Sequence, residues 1–420
     1  MAQLNIQTIL PVLDQSVSKL KTQYEQKRTA FNAIYKRGPK DFVNGKGERI
    51  PNLMRRAGGI TYGNEGFSFN APINPTFDDM YVYPTANAIP YELSGRTIRN
   101  FNKGSAESQI AGIADYIKIV AEALMKDIER GMWGDGSGLR ATVASDDGTS
   151  VVTLATTPAA GFGSTKGATF IEVGYQYDVY TSAAAYRGVF TCTATTATTA
   201  TGTTSFTFGD FTAGDILVPL NGYLKTPRGF AYLVSNGSGE FQAILRSTYL
   251  TMKSPVTDLA GAAMTVSDFD QSVALLEIRG DEITQVNGFK AWMPRAQFSQ
   301  MCRLGQNLKR FTGGEQTYNG GFQAFTYGNL TVAVCLEIDE DRSYFTQDSN
   351  LFIVEEMPWG VYDLDGLQLR MKAGPGGNGS DAYNGAIGSQ WQLGLYLPNN
   401  ATLIKRASVT GLPTQVSAYQ

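Results

Sequence analysis

Residues 105–139 constrain the fold more than any other stretch, because their apolar side chains recur every three or four positions. On a period of 3.6 residues these side chains form one stripe, which predicts a one-faced α-helix about seven turns long. Ser105 is placed to cap its start and Gly131 to end it, and Glu122 and Lys126 have the spacing of a helical ion pair. The stripe consists of Ile110, Ile113, Ile117, Ala121, Leu124 and Ile128.

Histidine is absent from the 420 residues and cysteine is rare, with three Cys at positions 192, 302 and 335. Without His the chain lacks the usual general base and the commonest metal ligand, and three scattered Cys make neither a zinc motif nor a disulfide framework. We therefore expect no enzymatic activity, no cofactor and no metal. The sequence has no run of 18 apolar residues, so we also expect no membrane partner.

The N-terminal segment is basic, although the whole chain has a net charge of −3. Residues 1–56 hold 11 Lys/Arg against 4 Asp/Glu. Apolar residues at helical spacing over 12–37 predict an amphipathic helix, which the Gly38 and Pro39 pair ends. This segment is therefore predicted to be an arm that docks elsewhere, on an acidic neighbouring surface or on nucleic acid.

Residues 60–94 alternate short aromatic runs with turns. The pattern predicts one long two-stranded excursion with no hydrophobic core of its own. Its Phe and Tyr side chains then contact another subunit, or the excursion lies as a flap on its own domain.

From Arg140 to Leu224 the composition shifts to Thr, Ala, Val and Gly. Five short strand-like runs separated by turns predict a small β-barrel or sandwich, with the low-complexity residues 193–205 as a hairpin arm or mobile tip. The segments 138–140 and 226–230 resemble the two cut ends of one scaffold. The sequence therefore predicts an inserted domain.

The remainder alternates helices and strands, which is typical of mixed α/β structure. Ser267 and Asp270 have capping-box character at the start of a helix over 267–279. We expect the last two strands to pair beneath the stripe of the long helix. The other predicted elements are strands at 288–294, 329–338, 351–357, 361–371, 390–397 and 401–407, a helix at 294–304, and a flexible glycine loop at 373–385.

Three motifs resemble ligand-binding sites, but none of them has the arrangement of residues that the ligand requires. The glycine turn 134–138 follows a helix and contains no Lys, whereas a phosphate loop opens a helix and carries one. The acidic residues 339–341 are adjacent, so they point to different faces, and a solvated loop is the expected state. The calcium-like 363–366 segment has Lys372 where a bidentate Glu is required.

The order of elements resembles that of the major capsid proteins of tailed bacteriophages, which have the Hong Kong 97-type α+β fold. The most specific stretch is 132–141, MWGDGSGLRA, which is similar to a glycine turn that follows the spine helix in that family, and GEFQAILRS at 239–247 also resembles it. The resemblance implies these parts: N-terminal arm 1–56, E-loop 57–100, spine helix and glycine turn of the P domain 101–139, inserted β-barrel or sandwich 140–224, P-domain return 225–266, A domain 267–350, and closing strands 351–420.

The resemblance implies a coat protein that assembles as hexamers and pentamers into an icosahedral head around double-stranded DNA, which it contacts without sequence specificity. A portal partner and a location in the virion, with assembly in the host cytoplasm, follow from it. No Lys lies between Lys46 and Lys103, so the family's E-loop cross-link is not expected, and cohesion is noncovalent or comes from a decoration protein. The absence of a long charged coiled segment before the arm implies a separate scaffolding protein.

Assembly contacts are expected from charged residues of the arm and from aromatic residues of the excursion. The rival hypothesis is a β-rich phage tail or surface protein that binds or cleaves glycans, with its aromatic clusters as sugar platforms and its carboxylates as acid and base. The candidate assembly residues are Lys27, Arg28, Arg55, Arg56, Phe67, Phe69, Phe77, Tyr81, Tyr83 and Tyr91.

Overall fold

A computed structural model gives the fold over most of the chain. It describes residues 29–35, 40–41, 48–62, 68, 70–94, 106–156, 167–279, 289–308, 326–327, 330–335, 337–362, 370–373, 379–408 and 410.

The described helices are α1 (Thr29–Tyr35), α2 (Ala106–Trp133), α3 (Phe230–Leu233), α4 (Val266–Arg279) and α5 (Arg295–Leu308). The first twelve strands are β1 (Lys40–Asp41), β2 (Glu48–Arg55), β3 (Thr76–Val82), β4 (Thr85–Ser94), β5 (Ala141–Asp146), β6 (Val151–Leu154), β7 (Gln176–Tyr180), β8 (Tyr186–Thr195), β9 (Thr199–Thr204), β10 (Ile216–Pro219), β11 (Glu240–Phe241) and β12 (Ile244–Leu245). The others are β13 (Val256–Asp258), β14 (Phe289–Pro294), β15 (Thr326–Tyr327), β16 (Leu330–Cys335), β17 (Ser343–Gln347), β18 (Leu351–Val361), β19 (Arg370–Ala373), β20 (Gly379–Leu395) and β21 (Ala401–Lys405).

Helix α2 is the predicted spine, and it has 28 residues. Ala121, Leu124 and Ile128 of the predicted stripe are buried in the largest hydrophobic core, whereas the side chains of the three earlier isoleucines lie outside the description. The helix continues past Gly131, where we predicted its end, to Trp133. Trp133 stacks on Phe230 at 4.7 Å between ring centroids, and this tertiary packing holds the last turn.

Helix α2 packs on β4 and β20 of a five-stranded sheet, in which β1, β18, β20 and β19 follow one another and β4 also pairs with β20. Residues 379–385, predicted as part of a flexible glycine loop, belong instead to β20, a strand of 17 residues. Pairing with β4 from Ala382 to Trp391 satisfies the backbone of this Gly-rich stretch.

The second sheet has six strands in the order β13-β21-β17-β14-β16-β15 and carries α4 and α5. Strand β21 lies here, between β13 and β17, so the predicted pairing of 390–397 with 401–407 is wrong. Helix α4 starts at Val266, and its capping box is formed by Thr265 and Asp268 instead of Ser267 and Asp270. Phe269, Leu276 and Phe345 are in the separate core beneath this sheet.

The inserted segment is a closed six-stranded barrel in the order β10-β5-β6-β9-β8-β7, with a core of its own. The sequence predicted five strands, whereas the barrel has six. The low-complexity residues 193–205 form most of the β8–β9 hairpin of the barrel wall.

The excursion is a two-stranded antiparallel hairpin of β2 and β3. It begins at Glu48, within the segment predicted as the N-terminal arm, and β4 leaves it to join the five-stranded sheet. Ile50, Met54, Met80 and Val82 are buried in the main core, so the base of the hairpin rests on its own chain. For its base, the structure therefore agrees with the second of the two alternatives predicted from the sequence, a flap that lies on its own domain.

Candidate assembly surface

The hairpin presents apolar side chains to solvent beyond its base. Ile50 pairs with Met80 and Leu53 with Phe77 across the two strands, and side chains alternate between faces. Ile50 and Met80 point into the core, whereas Leu53 and Phe77 are exposed. Farther out, Ile60 and Tyr62 are 71% and 87% exposed. Exposed apolar side chains that lie together in this way are typical of a protein interaction surface.

Some predicted assembly residues lie on this hairpin surface. Arg55, Arg56 and Phe77 are exposed. Tyr83 is exposed just beyond β3 and stacks against the half-buried Tyr81 at 6.3 Å between ring centroids.

Tyr91 is a correction, because its side chain is 3% exposed and belongs to the main core. It lies on β4, whose pairing with β20 places it inside the subunit. Lys27, Arg28, Phe67 and Phe69 lie outside the described residues.

Four exposed residues of the hairpin were not singled out from the sequence: Leu53, Ile60, Tyr62 and Ile73. The candidates in this region were charged residues and the aromatic residues of 67–91, so three aliphatic side chains and the earlier Tyr62 were left out. Alternation along β2 was the available signal, because Ile50 and Leu53 lie an odd number of residues apart and therefore point to opposite faces.

The glycine turn after α2 joins the helix to both ends of the barrel. The Asp135 carboxylate accepts hydrogen bonds from the backbone and side chain of Ser137, and Gly136 has φ +90°, which favours glycine. The Gly229 N–H donates to the Gly134 carbonyl at 2.9 Å, and the Leu224 N–H donates to the Ser137 carbonyl at 3.2 Å. The turn thus uses its polar groups to hold the returning chain.

Two ion pairs connect α2 to the barrel. Lys126 Nζ lies 2.6 Å from Glu172 Oε1, and Arg140 pairs with Asp127. Lys126 thus contacts the barrel, in addition to any helical contact with Glu122. Because each pair joins an α2 residue to a residue at or in the barrel, the two contacts together fix how the barrel lies against the helix.

A buried ionic cluster joins the end of α2 to the six-stranded sheet. Arg130 Nη1 lies 3.0 Å from Asp339 Oδ1 and donates to the Glu337 carbonyl at 2.8 Å. Arg342 Nε is 3.8 Å from Asp341 Oδ1. Asp339 and Asp341 are almost completely buried, so the prediction of a solvated loop over 339–341 is wrong.

Aromatic residues beside this cluster also pack between α2 and the six-stranded sheet. Tyr344 on β17 packs against Trp133 at 5.9 Å between ring centroids and against Phe230 at 5.5 Å. Burial raises the pKa of the Tyr344 hydroxyl, which keeps it neutral beside the carboxylates. The charges of the cluster are therefore part of the packing between two sheets.

Metal ligands do not cluster in the described part of the chain. Within it, no three Cys, Asp or Glu residues are grouped closely enough to hold a metal ion. None of the described helices is long and apolar enough to cross a membrane. The 363–366 segment, considered above for calcium, lies outside the description.

Comparison with known structures gives the fold a class. A chain of the cyanophage A-1(L) capsid asymmetric unit is similar over 89% of this chain and 91% of its own length, with a TM-score of 0.52 and 9% sequence identity. The capsid of a native GTA particle matches with a TM-score of 0.45 and 12% identity, over 90% of each chain. No protein-family model and no curated protein matches the sequence. The chain has the fold of phage capsid proteins, mixed α/β with a small six-stranded barrel.

Proposed function

We propose that the chain is the major capsid protein of a tailed bacteriophage. In this proposal it assembles as hexamers and pentamers into the icosahedral head that encloses double-stranded DNA. The observation that carries the proposal is the capsid fold, shared over 89% of the chain with the cyanophage A-1(L) subunit. The exposed apolar hairpin supports it independently, because such a surface requires a partner.

The parts of the subunit then have distinct roles. The β2–β3 hairpin is the E-loop, α2 with the five-stranded sheet is the P domain, and the six-stranded sheet with α4 and α5 is the A domain. The residues before Glu48 are the N-terminal arm. The barrel is an insertion between the glycine turn and its clasp at 222–229, where the returning chain is hydrogen-bonded to the turn.

Assembly in this proposal depends on many weak contacts. A specific protein interface buries about 1,600 Å² in total when it must be stable alone, but contacts in a closed shell act together. The hairpin contributes apolar area through Ile60, Tyr62 and Phe77, and positive charge through Arg55 and Arg56. The contacts are noncovalent, and each hairpin contacts a neighbouring copy.

The proposed partners extend beyond other copies of the chain. A separate scaffolding protein guides assembly in the host cytoplasm, a portal occupies one vertex, and a decoration protein binds the outer surface. The packaged DNA is contacted without sequence specificity, through charge.

Electron microscopy of purified protein, alone and co-expressed with a scaffolding partner, tests the proposal. We expect closed shells or hexameric and pentameric capsomers in the megadalton range. A monodisperse monomer under every assembly condition would overturn the proposal. Glycan binding or release of reducing sugar by such a monomer would favour the glycan-active alternative.

A further inference from the structure

Three tyrosine rings lie together on the outer wall of the barrel. Tyr180 ends β7 and Tyr186 begins β8, and the two residues are partners across the strands. Their ring centroids are 5.3 Å apart, with the ring planes at 60° to each other. Tyr223, which follows β10, stacks on Tyr180 at 4.1 Å between centroids, with the planes at 22°. We call these three residues the tyrosine platform.

A β-bulge orients one side of the platform. Strand β8 has one extra residue, Arg187, next to the point where Tyr186 pairs with Tyr180. A bulge of this kind changes the direction of the side chains around it. The Arg187 Nε lies 2.9 Å from Oδ2 of Asp215, whose side chain is completely buried. The cation of β8 is thus directed toward Asp215, and the ring of Tyr186 is left 56% exposed.

Hydrogen bonds fix the backbone on the other side of the platform, around Tyr223. The Asn221 N–H donates to Asp178 Oδ2 at 2.7 Å. The Leu224 N–H donates to the Ser137 carbonyl, and Leu224 has φ +57°, a left-handed conformation that costs a residue with a Cβ about 1–2 kcal/mol. Strained backbone persists where surrounding contacts over-determine it. The ring of Tyr223 is therefore held in place, which reduces the entropy lost when a ligand stacks on the platform.

The platform is built from uncharged groups. Its three side chains are phenols, which both donate and accept hydrogen bonds. Asp178 on β7 and Arg187 on β8 are the charged residues of the two strands that carry Tyr180 and Tyr186. Asp178 is 4% exposed and accepts the hydrogen bond from Asn221, and Arg187 is paired with Asp215. Because these charges are engaged within the barrel, the platform favours a neutral ligand.

The exposed area of the platform matches a small ligand. A Tyr side chain has an area of about 200 Å². Tyr186 is just over half exposed and the other two rings are half-buried, so the three rings together expose about 200 Å². A stable protein interface requires about 800 Å² from each partner. The platform is therefore too small to hold a protein partner by itself.

Sugar rings have the chemistry that this surface requires. The C–H groups on one face of a pyranose carry partial positive charge, and the face of an aromatic ring is negative. The hydroxyls of the sugar exchange hydrogen bonds with phenol hydroxyls. A neutral sugar thus combines stacking with hydrogen bonding and brings no charge that needs a partner.

We propose that the tyrosine platform of the barrel binds neutral pyranose sugars of a glycan chain. The ring of Tyr186 stacks on one face of a sugar, and the platform hydroxyls hydrogen-bond to it. This activity goes beyond the proposed capsid function. Only its avidity rests on that function, because a shell repeats a weak site on every copy of the chain.

Biolayer interferometry of the full-length chain on immobilised polysaccharides tests the proposal. The neutral probes are dextran, mannan and galactan, and alginate is the acidic comparison. Binding is measured for unassembled subunits and for shells. The variants are Tyr186→Ala, Tyr186→Trp and the matched control Tyr175→Ala, which removes a ring of similar exposure that precedes β7 and lies outside the platform. Circular dichroism checks that each variant is folded.

We expect wild-type subunits to bind at least one neutral polysaccharide and shells to bind it more tightly. Tyr186→Ala should weaken binding by the unassembled subunit at least tenfold, whereas Tyr186→Trp and Tyr175→Ala should retain it. The proposal is overturned if none of the three neutral polysaccharides binds, or if Tyr175→Ala causes an equal loss. Binding to alginate alone that high salt abolishes would assign it to an exposed cation such as Lys225 and would also overturn the proposal.

The test separates failure of this inference from failure of the proposed function. Unassembled subunits report on the platform whether or not shells form. Shells that bind no neutral polysaccharide would overturn the sugar site and leave the capsid function standing. Absence of shells from wild-type protein in electron microscopy would overturn the capsid function, and the subunit measurement would still decide the sugar site.

Discussion

Arg130 and Asp339 lie 209 residues apart in sequence and form an ion pair of 3.0 Å in the interior of the subunit. Arg130 is on the spine helix, and Asp339 precedes the six-stranded sheet's β17. The pair therefore links the two sheets of the subunit, and removal of one partner leaves the other charge buried.

Arg130→Met should destabilise the unassembled subunit by about 3–5 kcal/mol, because the Asp339 carboxylate loses its closest cation in a buried position. Arg49→Met is the matched control, since Arg49 pairs with Asp79 at 2.6 Å but is mostly exposed, and solvent screening makes the expected loss of stability much smaller. Urea unfolding measures both. Equal losses of unfolding free energy in the two variants would contradict the expectation that the buried ion pair contributes more to stability than the exposed one.

Ile60→Ser combined with Tyr62→Ser should leave the subunit folded and abolish shell formation, because the two side chains are exposed in the subunit and lie in the contacts between copies in the proposed shell. Circular dichroism and electron microscopy are the two measurements. Leu250→Ser is the control, since Leu250 is equally exposed on another surface. Normal shells from the hairpin variant would exclude these two residues from assembly.

Gly229→Ala should destabilise the subunit by about 1–3 kcal/mol or more, because an added Cβ would lie 2.0 Å from the Met132 carbonyl oxygen at the end of the spine helix. Gly239→Ala, where a Cβ meets nothing within 4 Å, should change stability by less than about 0.5 kcal/mol. Thermal unfolding of both variants gives the comparison. An unchanged unfolding temperature for Gly229→Ala would show that the backbone at 222–229 can move to accommodate the added Cβ.

The barrel should fold in isolation, because its core is formed by its own residues and its six strands close on themselves. Residues 139–222 expressed alone are expected to give a β-type circular dichroism spectrum and a cooperative thermal transition. The complementary variant, with 140–223 replaced by a short Gly-Ser linker, should keep the two sheets. An unfolded barrel fragment would show that contact with α2 is required for its fold.

Asp258 should make stability depend on pH in strong acid. The hydrogen bond from Arg406 lowers the pKa of Asp258 from 3.8 to about 2. Because the folded pKa is below the unfolded value, the contribution is complete above about pH 4 and is lost as pH falls through about 2. Asp258→Asn should therefore be less stable than wild type at pH 5, with a difference that disappears near pH 2. A pH-independent difference would contradict this.

The sequence predicted two elements whose structure is determined by patterns within one short segment. The spine helix follows from its periodic stripe, and the barrel follows from turn-bounded runs rich in β-branched residues. Tyr91 was misplaced for the opposite reason: its burial depends on the pairing of β4 with β20, almost 300 residues later. Periodicity within one segment contains no information about that distant partner.

The same limit explains the errors at 339–341 and at the last strand. Adjacent carboxylates indicate a solvated loop unless a cation that is distant in sequence pairs with them in the core. Here Arg130 forms a buried ion pair with Asp339. Strand β21 was assigned by proximity in sequence to β20, but its neighbours are β13 and β17. Among the candidate assembly residues, exposure on the hairpin was predictable from its lack of a core of its own.

The chain leaves the glycine turn for the barrel and returns to the same turn, with Leu224 hydrogen-bonded to Ser137. Both covalent connections to the insertion therefore lie at one point, and its other contacts with α2 are the noncovalent ion pairs described above. We expect that a foreign domain with closely spaced termini can replace the barrel, so that a particle built from this chain could carry an antigen or enzyme on every subunit.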